Sequence, residues 1–182
     1  MNSTKFINLL AQLNNISIEI KYPSKKFTDI YTKISNIKNQ FIHNISISIF
    51  ISGVRETDNK FQKNNLINSV KFDNSVISNG SFTDCTSLTY VNISSSVEKI
   101  GKFSFCGCSA LKKLIIPSSV TEIGNGAFSK CSSLIEIDIP FSITMISDSL
   151  FEGCSSLKKV TLPSSIDSIG SKAFNECSSL NE

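Results

Sequence analysis

Phenylalanine and cysteine each recur at an interval of 23 residues through more than half of this chain. A fixed period of this length is typical of a solenoid, in which each repeat forms one coil and buries its apolar face only against its neighbours. The period therefore predicts the architecture directly, and it favours binding over catalysis as the kind of function. The residues that carry it are Phe82, Phe105, Phe128, Phe151 and Phe174, with Cys85, Cys108, Cys131, Cys154 and Cys177.

Each repeat begins with alternating apolar and polar residues, which predicts a short strand with one face turned inward. In the unit 111–133 the inward pair is Leu114 and Ile116. Pro117 follows, and it ends the strand because proline has no N–H to donate to a sheet ladder. We expect the equivalent strands of successive units to stack about 4.8 Å apart into a parallel sheet along the solenoid.

The rest of the repeat predicts the other sides of the coil. A second apolar pair, Val120 and Ile123 in the same unit, fills the next side. Gly124 is expected to turn the chain, and the Ala-Phe-x-x-Cys segment is expected to form a short turn or 3₁₀ segment on the back. Because the phenylalanines occupy one position in every coil, they are predicted to form a stacked aromatic spine in the core rather than a ligand cage.

The cysteine ladder has two interpretations. Adjacent coils place equivalent Cα atoms about 5 Å apart, a distance that a disulfide tolerates. The side chains of one ladder all point the same way, however, into the coil, where a thiol packs as a small apolar group. Buried free thiols are therefore predicted, with no zinc site, since ligands spaced one per coil do not converge as a metal cluster does. Cys106 breaks the ladder and is expected at the surface or in a turn.

The repeat resembles the BspA-type (Treponema pallidum-type) leucine-rich repeat, whose pattern is L-x-x-I-x-[IL]-P-x-S-[VI]-x-x-I-G-x-x-A-F-x-x-C-x-S. The match covers 67–182, with Ser94 in place of the proline and Ser147 in place of the glycine in single units. The resemblance implies an α/β repeat solenoid that is rich in β structure. It also implies surface or secreted interaction proteins of bacteria and of parasitic or commensal protists, several of them adhesive. A composition heavy in Asn, Ile, Lys and Ser would suit an AT-rich protist genome.

The chain is predicted to contain two regions. Residues 44–182 form the solenoid, with 44–66 as a degenerate repeat and 67–182 as clear repeats. Residues 1–43 are predicted to form a strand–helix cap that shields the first coil. The cap prediction depends on the alternation of Ile16, Ile18 and Ile20 and on the helical spacing of Phe27, Ile30, Tyr31, Ile34, Ile37 and Phe41. The alternative is a separate small α+β domain.

Several function classes find no support in the residues. His43 is the only histidine, and no cysteine lies near it in the sequence, so a Ser-His-Asp or Cys-His site is not expected. No motif for a metal, a phosphate or another cofactor is present, and an enzyme is not predicted. A net charge of +3 does not indicate a nucleic-acid partner, and no apolar run is long enough to insert into a membrane as a helix.

The outward face of the first strands is the predicted partner-binding face. Its alternating charges have two interpretations: they neutralise one another along the ladder, or they form a mixed polar surface for a protein. The leading function is protein binding, and the family resemblance implies that this binding is adhesive and takes place at the cell surface. The alternative is an intracellular scaffold or a structural segment of a larger repeat protein. A cytoplasmic location follows if the absence of a secretory signal is decisive. The residues of this face are Tyr90, Asn92, Lys113, Ile115, Glu136, Asp138, Lys159 and Thr161.

The sequence stops soon after a further repeat begins at Leu180. An open last coil exposes unpaired strand groups and apolar side chains, here Leu162, Ile169 and Phe174. We therefore expect either a longer repeat protein or end-on self-association through this coil.

Overall fold

A computed structural model describes residues 16–22, 45–52 and 61–181, and it describes the side chains of 47–50 and 61–181. Within these ranges the regular structure consists of short parallel strands. The helix predicted before residue 44 lies outside the described residues. The strands are β1 Ile16–Tyr22, β2 Ile45–Ser52, β3 Ile67–Asp73, β4 Val76–Ile77, β5 Tyr90–Ile93, β6 Lys99–Ile100, β7 Glu122–Ile123, β8 Glu136–Asp138, β9 Met145–Ile146, β10 Lys159–Thr161 and β11 Ser168–Ile169.

The strands form two kinds of parallel sheet, which confirms the predicted solenoid. On the front, β1, β2, β3 and β5 pair in that order, and further along β8 pairs with β10. On the adjoining side, β4, β6 and β7 form one sheet, and β9 and β11 form another. The predicted parallel sheet has one break on the front, where the strand expected at Leu114 and Ile116 does not form. Residues 111–116 make only an isolated bridge, between Lys113 and Glu136.

The aromatic spine is present, and it extends into the degenerate repeat predicted over 44–66. Six phenylalanine rings stack along the axis, with centroids 5.0–5.9 Å apart and interplanar angles of 7–17°. The additional ring belongs to Phe61, which lies 5.0 Å from Phe82. Phe72 meets Phe82 and Phe105 edge-on, at 5.6 and 6.1 Å. Such offset and edge contacts are the arrangements that the aromatic quadrupole favours.

The back of each coil is a series of separate turns rather than a continuous 3₁₀ helix. In the unit 111–133 the turns are closed by bonds from the N–H of residue i to the carbonyl of residue i−3, as from Ser129 to Gly126 (3.0 Å) and from Cys131 to Phe128 (3.2 Å). Left-handed backbone occurs two residues before and two residues after each phenylalanine, as at Gly126 (φ 61°) and Lys130 (φ 58°). These residues interrupt any regular helix.

Gly124 begins a turn, as predicted, because its carbonyl accepts the N–H of Ala127 (3.2 Å), and it has a second role in packing. It is not among the residues with positive φ. A Cβ at this position would lie 2.6 Å from the backbone nitrogen of Lys102 in the preceding coil. Glycine is therefore required here by the close approach of two coils. In the next unit Ser147 takes the same position, and its hydroxyl donates a hydrogen bond to the carbonyl of Ile123.

A ladder of serines also joins the coils, at the third residue of the Pro-x-Ser segment. Ser119 donates its hydroxyl to the carbonyl of Val97 (2.7 Å), and Ser165 donates to Ile143 (2.8 Å). Each bond satisfies a carbonyl in the preceding coil that the short strands leave unpaired. This serine thus stabilises the stack, which the sequence pattern alone did not indicate.

The two ends of the described array differ in burial. Near the N-terminus β2 pairs with β3, and Phe61 and Asn64 occupy the ring and thiol positions of a repeat. The boundary between cap and solenoid stays a prediction, because 23–44 and 53–60 lie outside the described residues. In the last described coil Leu162 and Ile169 are exposed and Phe174 is half-buried. End-on self-association through this coil stays a prediction.

Candidate partner-binding face

The eight residues predicted to form the binding face lie on one surface, the front face of the solenoid. They occupy two outward columns, because side chains alternate between the two sides of a strand and the parallel registers align equivalent positions. Two apolar residues stand out, since Ile115 is 73% exposed and Tyr90 is 57% exposed. Asn92 is half-buried, and the remaining members are exposed: Lys113, Glu136, Asp138, Lys159 and Thr161.

The charges of this face form a single ion pair. Lys113 Nζ lies 2.8 Å from Glu136 Oε1, and this hydrogen bond, followed by the charge of Glu136, raises the pKa of Lys113. Lys159 pairs with Glu136 in the backbone register but forms no ion pair in the described structure. One ion pair thus forms along the two columns in the described residues, and both interpretations of the alternating charges stay predictions.

A gap in the backbone ladder crosses the centre of the face. Elsewhere along the front, the residue just before the strand donates its N–H to the preceding coil, as Ile135 does to Lys112 (3.1 Å) and Lys158 to Ile135 (2.8 Å). In the described structure no backbone bond joins 111–116 to β5. A shallow cavity of about 60 Å³ lies beside this segment, bordered by Leu114, Ile115 and Ile116 and by the facing strand β8.

The two columns continue towards the N-terminus over residues that the sequence analysis left out. Ser48 and Ser69 follow the column of Tyr90, and Ser69 donates its hydroxyl to Ser48 (2.7 Å). Phe50 and Lys71 follow the column of Asn92, and the Lys71 ammonium lies 5.4 Å from the centre of the Phe50 ring. The interval here is 21 residues rather than 23, which concealed the alignment. Counting back 23 residues from Val70 aligns it with Ile47, whereas the structure pairs it with Ile49.

The ladder cysteines are free thiols, as predicted, and all are buried except Cys177 in the last described coil, which is half-buried. Each thiol donates a hydrogen bond to the carbonyl of the phenylalanine in the preceding coil, as Cys108 does to Phe82 (3.2 Å) and Cys131 to Phe105 (3.3 Å). Burial raises the pKa of Cys85 and of Cys154 to about 12. The thiols therefore stay protonated, which the donated bond requires. Cysteine here combines a small apolar volume with a weak donor.

The remaining observations concern other kinds of site. Cys106, outside the ladder, is half-buried, and desolvation raises its pKa as well. Among the described residues, no group of three or more His, Cys, Asp or Glu side chains is placed to hold a metal ion. Within the same ranges, no helix has the length and the apolar surface that a bilayer span requires. His43 lies outside the described residues.

Comparison with known proteins agrees with this geometry. Residues 55–181 match the family described as the BspA type leucine rich repeat region, in six copies. A search of curated proteins found no match. A leucine rich repeat protein of T. pallidum has a similar structure, with a TM-score of 0.58 and 23% identity, over 74% of this chain and 78% of the other. A leucine rich cell surface protein of Faecalibacterium prausnitzii is 31% identical with a TM-score of 0.58, over 76% of this chain and 42% of the other.

Proposed function

Because the chain belongs to the BspA-type leucine-rich repeat family, we propose that it binds a protein partner through the front face of its solenoid. Repeats of this family are generally protein-interaction modules. The observation that carries the proposal is the exposure of Ile115, which is 73% accessible in the middle of a sheet face. A large aliphatic side chain at the centre of a polar surface is the arrangement of a binding anchor surrounded by a rim.

The surroundings of Ile115 supply the polar rim. Lys113 and Glu136 form an exposed ion pair, which contributes little to stability and orients two charges towards solvent. Asp138 and Lys159 add charges without an ion-pair partner in the described structure, and Tyr90 adds an aromatic ring with a hydroxyl. Tyrosine is enriched at protein interfaces because it combines apolar area with a polar group. The face therefore offers apolar anchors and specific charges together.

The proposal places this binding at the cell surface, as an adhesion-type function. Its support is the likeness to the Faecalibacterium prausnitzii protein, which is described as a cell surface protein. This chain spans less than half of that protein, so the location is proposed by analogy. The alternative is an intracellular scaffold. Protease treatment of intact cells separates the two: cleavage of the protein supports the surface, and full protection contradicts it.

A matched pair of positions tests the binding face. Phe141 is 72% exposed, almost as much as Ile115, but lies in the turn between β8 and β9. A photoreactive amino acid is introduced at one of the two positions at a time, and each variant is irradiated in intact cells. The variant at position 115 should crosslink one partner, and the variant at position 141 should not. With that partner purified, Ile115→Ser should weaken binding by about tenfold or more, and Phe141→Ser should leave it unchanged. Equal crosslinking at both positions, or equal loss of affinity, would exclude the front face.

A further inference from the structure

A second surface, on the back of the solenoid, has features that the front face and the repeat do not explain. A cavity of about 410 Å³ opens there, at the turns of three successive coils. Its volume lies in the usual range for small-molecule sites. One wall is an aromatic ring, that of Phe103, and the rest is formed largely by polar side chains and by the backbone at Gly80.

Phe103 has a backbone conformation that is unusual for a bulky residue. Its φ is 54°, in the left-handed region, where glycine has no steric penalty and an aromatic residue is a clear outlier. The equivalent positions are glycines in the two neighbouring coils, Gly80 and Gly126, and other residues in the two later coils, Ser149 and Lys172; the left-handed turn belongs to the repeat, and the aromatic side chain is particular to this coil. Strain of this kind is found mainly where surrounding contacts maintain it, and it concentrates at binding and catalytic sites.

The surroundings of Phe103 maintain this conformation. Its N–H donates to the carbonyl of Asn125 (3.0 Å), and its carbonyl accepts the Thr83 hydroxyl (2.8 Å). The ring lies against Gly126, so closely that a Cβ on that glycine would overlap Cδ1 and Cε1. The ring is nonetheless 49% exposed, and it borders the cavity. The fold therefore presents an aromatic surface to solvent at a fixed place, at a cost in backbone strain.

The rim of the cavity offers hydrogen-bonding groups that the protein does not use. The side-chain oxygen of Asn79 accepts the Lys102 N–H (2.8 Å), so its amide nitrogen is left to donate outward. Gln62 and Lys102 are exposed, and in the described structure neither side chain has a hydrogen-bond or ion-pair partner. The lining includes the positive charge of Lys102 and no carboxylate.

We propose that this cavity is a saccharide-binding site that takes a pyranose carrying a carboxylate. An aromatic ring attracts the weakly positive C–H groups of a sugar face, because its own face is electronegative. Two carboxamides match the hydroxyl groups at the edge of the sugar ring, and the Thr83 hydroxyl, which already donates to the Phe103 carbonyl, can still accept from one of them. The ammonium of Lys102 recognises the carboxylate, for which the cavity has no competing negative charge. The site lies on the opposite side of the coil from the front face and is independent of the protein partner.

Titration with glucuronate and with glucose tests the proposal, followed by NMR of the Phe103 ring and of the backbone amides of Gly80 and Thr83, which also line the cavity. Glucuronate should shift the ring resonances with a dissociation constant on the order of 1 mM, the affinity usual for a ligand of this size. Glucose should bind several-fold more weakly. Lys102→Gln should abolish this difference because it removes the cation and retains a polar side chain.

Three further variants separate the ring from the strain. Phe103→Ala removes the ring and keeps a side chain in left-handed backbone, so binding should weaken by about tenfold or more. Phe103→Gly should weaken binding to the same extent and also raise the unfolding temperature, because it relieves the strain. Ser149→Gly is the matched control: Ser149 has φ 53° at the equivalent position of a later coil, away from the cavity. It should raise the unfolding temperature and leave glucuronate binding unchanged.

The outcomes are distinguishable. Saturable shifts of the Gly80 and Thr83 amides that Phe103→Ala and Phe103→Gly weaken, and that Ser149→Gly preserves, support a saccharide site. The absence of shifts at concentrations well above the expected dissociation constant would overturn the proposal, as would amide shifts that keep their wild-type affinity in Phe103→Ala. Equal binding of glucose and glucuronate would overturn the assignment of Lys102 to a carboxylate. None of these results affects crosslinking at Ile115, which tests the front face separately.

Discussion

Truncation of Phe128 to alanine tests the aromatic spine most directly. The ring is fully buried and stacks on both sides, with centroids 5.9 Å from Phe105 and 5.8 Å from Phe151. Removal of a buried phenylalanine ring costs about 3–5 kcal/mol in free energy of unfolding, from lost transfer energy and from the cavity left behind. Two aromatic contacts are lost at once, each worth about 0.5–1.5 kcal/mol beyond area. We therefore expect a value near the upper end of that range.

Phe174→Ala is the matched control at the same repeat position. That ring is half-buried and stacks on one described neighbour only, Phe151, at 5.6 Å. This substitution removes less buried apolar area and only one ring contact. The free energy of unfolding should therefore decrease by about 1–2 kcal/mol. Phe141→Ala, at an exposed ring outside the spine, should change the unfolding free energy by less than about 0.5 kcal/mol.

Urea denaturation followed by far-ultraviolet circular dichroism measures these differences, provided that the slope of the transition stays constant among variants. In a repeat array, loss of one central contact can also uncouple neighbouring coils, which would broaden the transition of Phe128→Ala. Equal losses for Phe128→Ala and Phe174→Ala would contradict the reasoning, because they would mean that stacking on two sides stabilises the array no more than stacking on one. A loss below about 1 kcal/mol for Phe128→Ala would do the same.

Four further outcomes are expected. Burial raises the pKa of Cys85 and Cys154 from 9.0 to about 12, so between pH 9 and pH 12 the unfolded state binds fewer protons than the folded state. The free energy of unfolding should therefore fall as the pH rises through this range. A stability that does not change with pH would contradict the burial of these thiols. In thiol titration of the native protein, the half-buried Cys106 and Cys177 should react first and the other four only on denaturation, whereas an absence of free thiols under both conditions would indicate disulfides. Gly124→Ala should destabilise the protein by about 1–3 kcal/mol, because the added methyl group would collide with the backbone of Lys102. Chemical denaturation measures this loss, and an unchanged stability would refute the close packing. In hydrogen exchange, the amides of Leu114, Ile115 and Ile116 should exchange faster than those of β8, and equal protection would show that the front ladder is closed.

Much of the fold was predictable because a residue in a solenoid has neighbours that are known from the period. Residue 128 stacks on 105 and 151 for the same reason that 105 stacks on 82, so one unit predicts the spine, the inward strand residues and the thiol ladder. The outward columns of the front face followed from the alternation of side chains in a strand. The extension to Phe50 and Lys71 was missed, because two deleted residues shift the period in that coil.

The sequence by itself thus determined which side chains face inward and which coil lies beside which, since both depend only on the period and on strand alternation. The tertiary structure decided what depends on offsets of about an ångström between coils. Such offsets determine that Glu136 pairs with Lys113 rather than Lys159, that the front ladder opens at Leu114–Ile116, and that the ring of Phe103 lies against Gly126 beside a cavity. Hydrogen bonds and ion pairs weaken steeply over such distances, whereas the burial of apolar area tolerates them. For this reason the period predicts the core and leaves the polar surface to the three-dimensional arrangement.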